Sequence, residues 1–366
     1  MRNQKSTIIA EAGVNHNGSI ELAEKLVEVA VASGADIVKF QTFKADNIVT
    51  KQAHKAQYQK KATGSEETQY EMLKKLELNR EDHFYLASLC KASNIEFLST
   101  AFDADSVSFL VNEIGIKRIK VPSGEITNAP LLLHMARFGL PIIISTGMAT
   151  LGEIEQALGV LAFGLLNSST SRPSPGDLLE AYVSDEGFEV LQKNVTIMQC
   201  TSEYPAAPSV ARLSLMPQMG QIFGLNYGYS DHTEGLAVSM AARALGAIVI
   251  EKHFTLDKEM KGPDHRASLN PGELKDLVCG IRDVEAALSG NRKVPSQAEM
   301  MNRHAARRSI VAAQDISVGE CFTPENLTLK RPGTGVSPYR YWQLLDKMSR
   351  SSIAQDEVLG EAEDFL

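Results

Sequence analysis

Short apolar runs organise the first 290 or so residues, and each run ends in a polar or charged cluster and is followed by a stretch with helical periodicity. Most of the runs are nearly continuous in Ile, Val and Phe, which is typical of parallel strands buried on both faces. The predicted strands are Thr7–Gly13, Asp36–Phe43, Ile95–Phe102, Arg118–Glu125, Pro141–Met148, Val195–Tyr204, Asn226–His232 and Ala247–Thr255. Eight strand-then-helix units predict an α/β protein with a (β/α)8 TIM barrel, in which chemistry takes place at the carboxyl ends of the strands.

Two stretches interrupt this rhythm. Residues 45–79 form a long polar insertion after the second strand, and residues 163–194 intervene before the sixth. The second stretch contains a segment rich in Ser and Pro at 168–176, which we expect to be a mobile surface excursion. Because this stretch follows a helix, it approaches the face opposite the catalytic one, and we expect it to have a structural or interface role.

The pattern changes again after the eighth helix. Residues 1–290 are predicted to form the barrel, 291–307 a polar linker, and 308–366 a small β-rich domain with short strands and Gly/Pro turns. A domain of that size has too small a core to be strongly stable alone. We therefore expect it to pack on a barrel, either its own or a partner's.

Composition narrows the functional classes. The chain has 366 residues and a net charge of −8, which argues against a nucleic-acid or membrane partner because either would require a basic face. Its apolar runs are only strand-length, so no transmembrane helix is expected, and neither is a signal peptide. Four widely spaced cysteines, without a CxxC motif, predict reduced thiols in a cytoplasmic protein.

Two histidines follow neighbouring strands of the predicted barrel. His232 and His253 end the seventh and eighth strands, so their imidazoles can converge at the rim. Two neutral histidines, with water and substrate oxygen, suit a divalent ion that acts as a Lewis acid. Spacing alone does not separate this interpretation from two histidines that cap loops. Asp231 is a candidate to orient His232.

Two lysines stand inside apolar strands, Lys39 in IVKFQ and Lys120 in IKVP. A lysine there must face an anion or lose much free energy on burial. Three interpretations stay open: a phosphate and carboxylate site, a Schiff-base lysine, or a structural ion pair with Glu125 or Glu11. Hydroxyl and backbone N–H groups near the same mouth favour a phosphate cradle, and they come from Thr100, Ser123 and Ser145 with their neighbours. Glu11 is a candidate general base, with a structural salt bridge as the alternative.

The polar clusters resemble those of the sialic acid synthase family. The shared motifs are EAGVNHNG (11–18), VKFQ (38–41), KVPSGE (120–125), STGM (145–148), TSEYP (201–205), YSDHT (229–233), EKHFT (251–255) and GPDH (262–265). At the C-terminus, KRPGTG (330–335) resembles that family's antifreeze-like, or SAF, domain. The sequences PSGEITN (122–128) and EKHFTLDK (251–258) are most similar to those of the bacterial legionaminic acid synthases.

The resemblance implies an activity and a role for each matching residue. The family condenses phosphoenolpyruvate with an N-acetylated mannosamine-type sugar to give a nine-carbon 2-keto acid and phosphate, by C–O cleavage. The implied metal ligands are His232 and His253, holding Mn2+ or Mg2+, and the acid–base carboxylates are Glu11 and Glu125. The implied phosphoenolpyruvate-binding residues are Lys39, Thr100, Lys120, Ser123, Ser145, Ser202 and Ser230. The implied sugar-binding residues are Gln41, Tyr204, Asp264 and Arg331, with Arg331 reaching the partner barrel of a domain-swapped homodimer.

The resemblance leaves the sugar, the native metal and the division of labour between Glu11 and Glu125 open. N-acetylmannosamine and 2,4-diacetamido-2,4,6-trideoxymannose differ at C4 and C6. The sequences of the motifs favour the second sugar, whose product would be a legionaminic acid for surface glycans. Two other hypotheses remain: a pyruvate-dependent aldolase, and a carbohydrate-binding protein without catalysis on the same fold.

Overall fold

The computed structural model describes residues 5–56, 59–60, 64, 66–167, 172–290 and 292–360. The chain divides into two compact units, Met1–Ser289 and Gly290–Leu366. The segment predicted to be mobile, 168–176, lies partly outside the described residues, at 168–171. No helix in the described part of the chain is long and apolar enough to cross a membrane.

Eight parallel strands form the centre of the first unit. They are β1 (Thr7–Gly13), β2 (Ile37–Thr42), β3 (Glu96–Ala101), β4 (Ile119–Val121), β5 (Ile142–Ser145), β6 (Val195–Cys200), β7 (Asn226–Asp231) and β8 (Val249–His253). Their hydrogen-bonded order is β3-β2-β1-β8-β7-β6-β5-β4, and β3 and β4 at its two ends are in contact. This arrangement confirms the predicted (β/α)8 barrel.

Helices surround the strands. They are α1 (Ile20–Ser33), α2 (Ala45–Ile48), α3 (Gln69–Lys74), α4 (Arg80–Ala92), α5 (Ala104–Phe109), α6 (Ala129–Ala136), α7 (Leu151–Leu166), α8 (Pro175–Val183), α9 (Asp185–Asn194), α10 (Leu215–Phe223), α11 (Ala237–Ala244) and α12 (Pro271–Ala287). α1 shows how the sequence sets its bounds. The Ser19 side chain accepts from the Leu22 N–H at its start, and Gly34 ends it in the left-handed conformation that glycine adopts without strain.

Seven of the eight barrel strands end earlier than the apolar pattern predicts, and β1 ends at Gly13 as predicted. The fourth was expected to run from Arg118 to Glu125, but β4 stops at Val121 and a 3-10 turn, Ser123–Glu125, follows. Pro122 has no N–H to donate to a ladder, so the chain leaves the sheet there. The functional clusters consequently lie on the turns that follow the strands as well as on the strands themselves.

Both insertions contain helices. The polar stretch 45–79 contains α2 and α3, and its Met72 and Leu76 pack against Val14 and Phe43. The stretch 163–194 holds the end of α7 together with α8 and α9, which pack against α7. These short amphipathic helices were not predicted from the sequence, because both stretches are charged and polar. One buried position per turn gives an apolar periodicity too weak to detect.

Side-chain alternation along the strands explains how the site is built. Successive residues of a barrel strand point alternately inward and outward. One buried apolar layer inside the barrel consists of Ile9, Ile37, Leu98, Ile143, Met198 and Val249. Two residues further along the same strands come Glu11, Lys39, Thr100, Ser145, Cys200 and Glu251. The polar layer thus rests on a packed apolar layer.

The second unit has a small antiparallel sheet of β9 (Ser309–Ala312) and β10 (Leu327–Lys330). Its core contains Ile310, Phe322 and Leu344. It also has α13 (Gln297–Ala306), capped by Ser296, and α14 (Tyr341–Leu344). α13 lies within the stretch predicted as a polar linker, where its charged residues gave no apolar stripe.

A polar network lies at the amino-terminal end of the barrel. Glu285, near the end of α12, accepts hydrogen bonds from the Ser6 N–H and the Ser6 hydroxyl, both at 2.6 Å. Arg282 Nη1 donates to it at 3.0 Å and Arg243 Nε at 3.1 Å. Burial alone would raise the pKa of Glu285, but the hydrogen bonds from Ser6 and Arg282 outweigh burial and lower the pKa from 4.5 to about 2.

Replacing Glu285 by glutamine tests this network through its pH dependence. Because the folded-state pKa is depressed, the ionised carboxylate contributes stability above about pH 4.5, and this contribution disappears as the pH falls towards 2. We expect Glu285→Gln to lower the free energy of unfolding at neutral pH by about 2 kcal/mol, after a discount for solvent screening. Denaturant titrations from pH 7 to pH 3 should show the gap between the two proteins shrinking, and a gap independent of pH would contradict this assignment.

Candidate active site

A cavity of about 1000 Å³ opens at the carboxyl ends of the barrel strands. The structure brings every predicted site residue of the first unit to its wall. These residues are Glu11, Lys39, Gln41, Thr100, Lys120, Ser123, Glu125, Ser145, Ser202, Tyr204, Ser230, His232, His253 and Asp264. They come from all eight strands and the turns after them, which is the arrangement of a barrel active site.

Lys39 lies at the centre of a buried ionic cluster. Its Nζ is 3.0 Å from Glu11 Oε2 and 3.2 Å from Glu251 Oε2, and it donates to Thr100 Oγ1 at 2.9 Å. The side chains of Lys39, Glu11 and Glu251 are at most 5% exposed. Lys39 therefore makes the ion pair with Glu11 that the sequence left open, and a second one with Glu251.

Lys120 lies on the other side of Glu251. Its Nζ is 3.5 Å from Glu251 Oε1 and donates to Ser145 Oγ at 2.6 Å. The Ser230 hydroxyl donates to the same Glu251 oxygen at 2.8 Å. Glu251 thus bridges the two lysines, whereas the alternative partner from the sequence, Glu125, accepts from Asn128 instead at 2.7 Å.

The two carboxylates of this cluster titrate differently. Burial favours the neutral form of both, but Glu251 faces two lysines, whose charges hold its pKa well below the ordinary value. Glu11 faces Lys39 most closely and also feels Glu251, so burial dominates and raises its pKa to about 7. Burial opposes the charge of Lys39, but Glu11 and Glu251 raise its pKa, whereas burial lowers that of Lys120. Partial protonation of Glu11 near neutral pH reduces the negative charge that faces Lys39.

Glu251 is a site residue that the sequence reasoning missed. It belongs to the EKHFT cluster but was given no role there. The signal was available, because Val249, Glu251 and His253 occupy alternate positions of β8 and therefore share the inward face. Glu251 therefore lies on the same face of β8 as His253, a candidate metal ligand, and two residues before it.

The two histidines converge at the rim of the cavity. Their ring centroids are 5.5 Å apart, and the Tyr204 ring lies 4.0 Å from that of His232 and 5.7 Å from that of His253. Burial lowers the pKa of His232 to about 4 and holds that of His253 well below its ordinary value. Both imidazoles are therefore neutral near pH 7, the form that binds metals.

His232 is oriented by the backbone, and Asp231 takes no part. His232 Nδ1 donates to the Thr201 carbonyl at 2.5 Å, so Nε2 carries the lone pair of the neutral ring, and Ser230 Oγ lies 3.5 Å from it. Asp231 instead pairs with Lys252 at 2.9 Å and accepts from Thr233 and Ser239. The expectation that Asp231 orients His232 is wrong, because adjacent strand residues point to opposite faces.

The turn after β5 closes tightly over one side of the cavity. The Gly147 N–H donates to Ser123 Oγ at 3.0 Å and approaches Cys200 Sγ at 3.1 Å. A Cβ at Gly147 would lie 2.5 Å from Ser202 Oγ and 2.8 Å from Ser123 Oγ. A side chain at this position would force both hydroxyls to move, so glycine allows the turn to approach two of the predicted phosphate-binding hydroxyls closely.

Two of the remaining predicted residues, Gln41 and Asp264, also line the cavity. Gln41 follows Lys39 on the inward face of β2, and a Cβ at Gly13 would lie 3.4 Å from its amide nitrogen and 3.3 Å from His253 Cε1. Asp264 is buried, which raises its pKa to about 6. Arg331 belongs to the second unit, where it directly follows β10 and is exposed.

Part of the wall comes from a stretch to which the sequence assigned no role. Residues of the 45–79 insertion line the cavity, and they include Ile48, Val49, Gln59, Gln69, Met72 and Leu73. Arg266, after β8, is a further lining residue that the sequence reasoning left out. Because the insertion follows the second strand, its position in the chain places it at the carboxyl end of the barrel, but no motif or chemical group in it shows which of its residues line the cavity.

Comparison with known proteins follows the same division of the chain. Residues 26–293 match the NeuB family and residues 307–363 match the SAF domain. The chain is 48% identical to an N,N'-diacetyllegionaminic acid synthase of Campylobacter jejuni over 98% of this chain and all of that protein. It is also 48% identical to the enzyme of that name from Legionella pneumophila, over 90% of this chain and 86% of that protein.

A solved structure of similar fold is the N-acetylneuraminic acid (sialic acid) synthetase of Leptospira borgpetersenii in complex with citrate. It superposes with a TM-score of 0.65 at 28% identity and covers 82% of this chain and 90% of its own. With a family match over most of the barrel and a 48% identical relative over nearly the whole length, the chain belongs to the NeuB family and carries a C-terminal SAF domain.

Proposed function

We propose that the protein is a transferase that condenses phosphoenolpyruvate with an open-chain N-acetylated mannosamine-type sugar, giving a nine-carbon 2-keto sugar acid and phosphate. The observation that carries the proposal is the meeting of Lys39 and Lys120 with two neutral histidines in one cavity. The lysines suit an anionic donor, and the histidines suit activation of a carbonyl acceptor.

The floor of the cavity would hold phosphoenolpyruvate. Lys39 and Lys120 supply charge, and hydroxyl donors surround them, from Thr100, Ser123, Ser145, Ser202 and Ser230. A phosphate and a carboxylate can replace the present contacts to Ser145 and Thr100 without leaving either ammonium unpaired, since Glu251 stays between them. Glu251 would hold the two lysines at a fixed separation, with one carboxylate oxygen facing each.

His232 and His253 would hold a divalent ion, Mn2+ or Mg2+. The donor set fits such an ion: His232 presents Nε2, and His253 Nδ1 is buried with no hydrogen-bond partner in the described part of the chain. The described residues include no group of three or more His, Cys, Asp or Glu placed for a metal, so water or substrate oxygens would complete its coordination. When bound, the ion would polarise the aldehyde of the sugar.

The carboxylates of Glu11 and Glu125 would transfer the protons of the reaction. The methylene carbon of phosphoenolpyruvate bonds to C1 of the sugar, and the aldehyde oxygen takes a proton. The phosphate-bearing carbon, now electron-poor, adds water and releases its proton. The C–O bond to phosphate then breaks and leaves the ketone. Glu11, with a pKa raised to about 7, can exchange a proton near neutral pH, and the half-buried Glu125 is the second candidate.

The other wall would bind the sugar through Gln41, Tyr204 and Asp264. The two 48% identical relatives carry the name N,N'-diacetyllegionaminic acid synthase, which supports 2,4-diacetamido-2,4,6-trideoxymannose as the acceptor. N-acetylmannosamine, which would give N-acetylneuraminic acid, is the next candidate. A cytoplasmic location and a role in surface polysaccharide biosynthesis would follow from either product.

One observation favours a second candidate, a pyruvate aldolase that forms a Schiff base. Burial lowers the pKa of Lys120, as an amine nucleophile requires. Its contacts to Ser145 and Glu251 suit the anion-binding role equally well. Borohydride reduction with pyruvate, followed by mass spectrometry, separates the two: the synthase proposal expects no adduct on Lys120.

The test of the main proposal is phosphate release with Mn2+ and phosphoenolpyruvate, with each of the two sugars offered separately and the products identified by mass. Turnover of the diacetamido sugar supports a legionaminic acid synthase, and a preference for N-acetylmannosamine supports a sialic acid synthase. Metal-loaded protein that releases no phosphate with either sugar would overturn the proposal.

We also propose a domain-swapped homodimer in which Arg331 serves the partner's cavity. Arg331→Ala and Lys39→Met would each be inactive as homodimers. Mixed dimers, formed by co-expression with two affinity tags, should regain one working cavity in which both residues are intact. Equal inactivity of the mixed dimers, or a monomer in sedimentation, would contradict this arrangement.

A further inference from the structure

The outer wall of the cavity is apolar. Phe43, Ile48, Met72 and Leu73 line it and belong to one hydrophobic cluster together with Val14, Leu76 and Phe102. We call these four lining residues the apolar shelf. Ile48 and Leu73 are only partly buried, so they keep surface that a ligand can cover.

Phe43 of the shelf comes one residue after the end of β2, on which Lys39 and Gln41 share the inward face, and the other three shelf residues lie in α2 and α3. Phe102 likewise comes one residue after the end of β3, which carries Thr100. Four residues of extended chain span roughly 13 Å. From its floor to its mouth, the cavity is therefore lined first by charged side chains, then by the Gln41 amide and then by apolar side chains.

The proposed reaction, on which this inference rests, fixes the direction in which the sugar lies. C1 must meet phosphoenolpyruvate near the lysines and histidines, so C6 is the sugar carbon farthest from the floor. Carbon–carbon bonds of about 1.5 Å give an extended six-carbon chain of roughly 6 Å, and the phosphoenolpyruvate beneath it adds several more. The C6 end thus reaches the level of the shelf.

We infer that the apolar shelf binds the C6 methyl group of a 6-deoxy sugar and selects against a C6 hydroxyl. A methyl group gains from contact with Ile48 and Leu73, whereas a hydroxyl placed there loses water without gaining a partner. Gln59 and Gln69 line the same side of the cavity, where their amides suit an acetamido group at C4. A hydrophobic subsite of this kind discriminates by roughly 10- to 200-fold.

The experiment uses two sugars that differ at C6 alone: 2,4-diacetamido-2,4,6-trideoxymannose and its 6-hydroxy counterpart. The unchanged protein should prefer the 6-deoxy sugar by about tenfold or more in kcat/KM. Leu73→Asn, similar in size but polar, should remove most of that preference by lowering kcat/KM for the 6-deoxy sugar. Leu73→Met is the matched control and should keep the preference, and KM for phosphoenolpyruvate should be unchanged in both variants.

Two results overturn the inference while leaving the proposed function intact: equal turnover of both sugars by the unchanged protein, or a Leu73→Asn variant that keeps the full preference. If Leu73→Asn does not fold, as judged by circular dichroism, Ile48→Asn with Ile48→Leu as control serves the same comparison. Absence of phosphate release with every sugar overturns the proposed function itself, so the two failures are distinct.

Discussion

Lys39→Met is expected to reduce phosphate release by about 10³-fold, since removing one preorganised donor from an active site typically costs 10²- to 10³-fold. The substitution also leaves Glu11 and Glu251 buried without the cation that lies 3.0 and 3.2 Å from them. Breaking a buried ion pair in this way typically lowers the free energy of unfolding by about 3–5 kcal/mol. Steady-state kinetics and denaturant unfolding measure the two effects separately.

Lys252→Met is the matched control. Lys252 is also a buried strand lysine with a carboxylate partner, Asp231 at 2.9 Å, but it is not among the residues that line the cavity. It should lose comparable stability and keep its KM for phosphoenolpyruvate. The double variant Lys39→Met/Glu11→Gln should recover part of the lost stability without activity, because it removes the carboxylate that loses its ion pair, whereas Glu251 keeps its contact with Lys120. Recovery of activity in that variant, or an unchanged KM in Lys39→Met, would contradict the anion-binding role.

His253→Ala is expected to reduce Mn2+-dependent phosphate release by about 100-fold or more. Loss of a residue that merely supports a metal ligand costs 10- to 100-fold, so loss of one of two protein ligands should cost at least as much. Isothermal titration with Mn2+ alone should show a corresponding loss of affinity, which makes the test independent of turnover.

His83→Ala provides the comparison for His253→Ala. His83 is equally buried, but it lies on α4 and pairs with Thr42 Oγ1 at 2.7 Å. It should lose stability and keep the Mn2+ affinity of the unchanged protein. Equal Mn2+ binding by His253→Ala and the unchanged protein would rule out the histidine pair as the metal site.

The barrel could be predicted because its strands are buried on both faces and read as apolar runs. The pattern did not predict the ends of most strands, as at Pro122, where backbone hydrogen bonding stops although the polar cluster 123–125 had been assigned to the fourth strand. The helices of the 45–79 insertion were also missed, since α2 and α3 are short and each has one buried residue. Short helices of this kind depend on tertiary contacts more than on their own periodicity.

At the site, the resemblance and the strand positions together predicted many of the residues that line the cavity. They did not predict which of these residues contact one another. Strand alternation marks Glu251 as inward-facing, but its contacts with Lys39 of β2 and Lys120 of β4 are visible only in the folded barrel. Asp231 was given a role from its neighbour in sequence, although strand alternation turns it away. The apolar shelf carries no chemical group, so only the packing of α2 and α3 over the mouth places it at the site.

The most direct test of the account uses phosphoenolpyruvate labelled with 18O in the oxygen that bridges carbon and phosphorus. With Mn2+ and 2,4-diacetamido-2,4,6-trideoxymannose, we expect one phosphate for each nine-carbon keto acid, with the label in the phosphate, because the C–O bond breaks. Label retained in the sugar acid, or turnover of free pyruvate without phosphate release, would contradict the account.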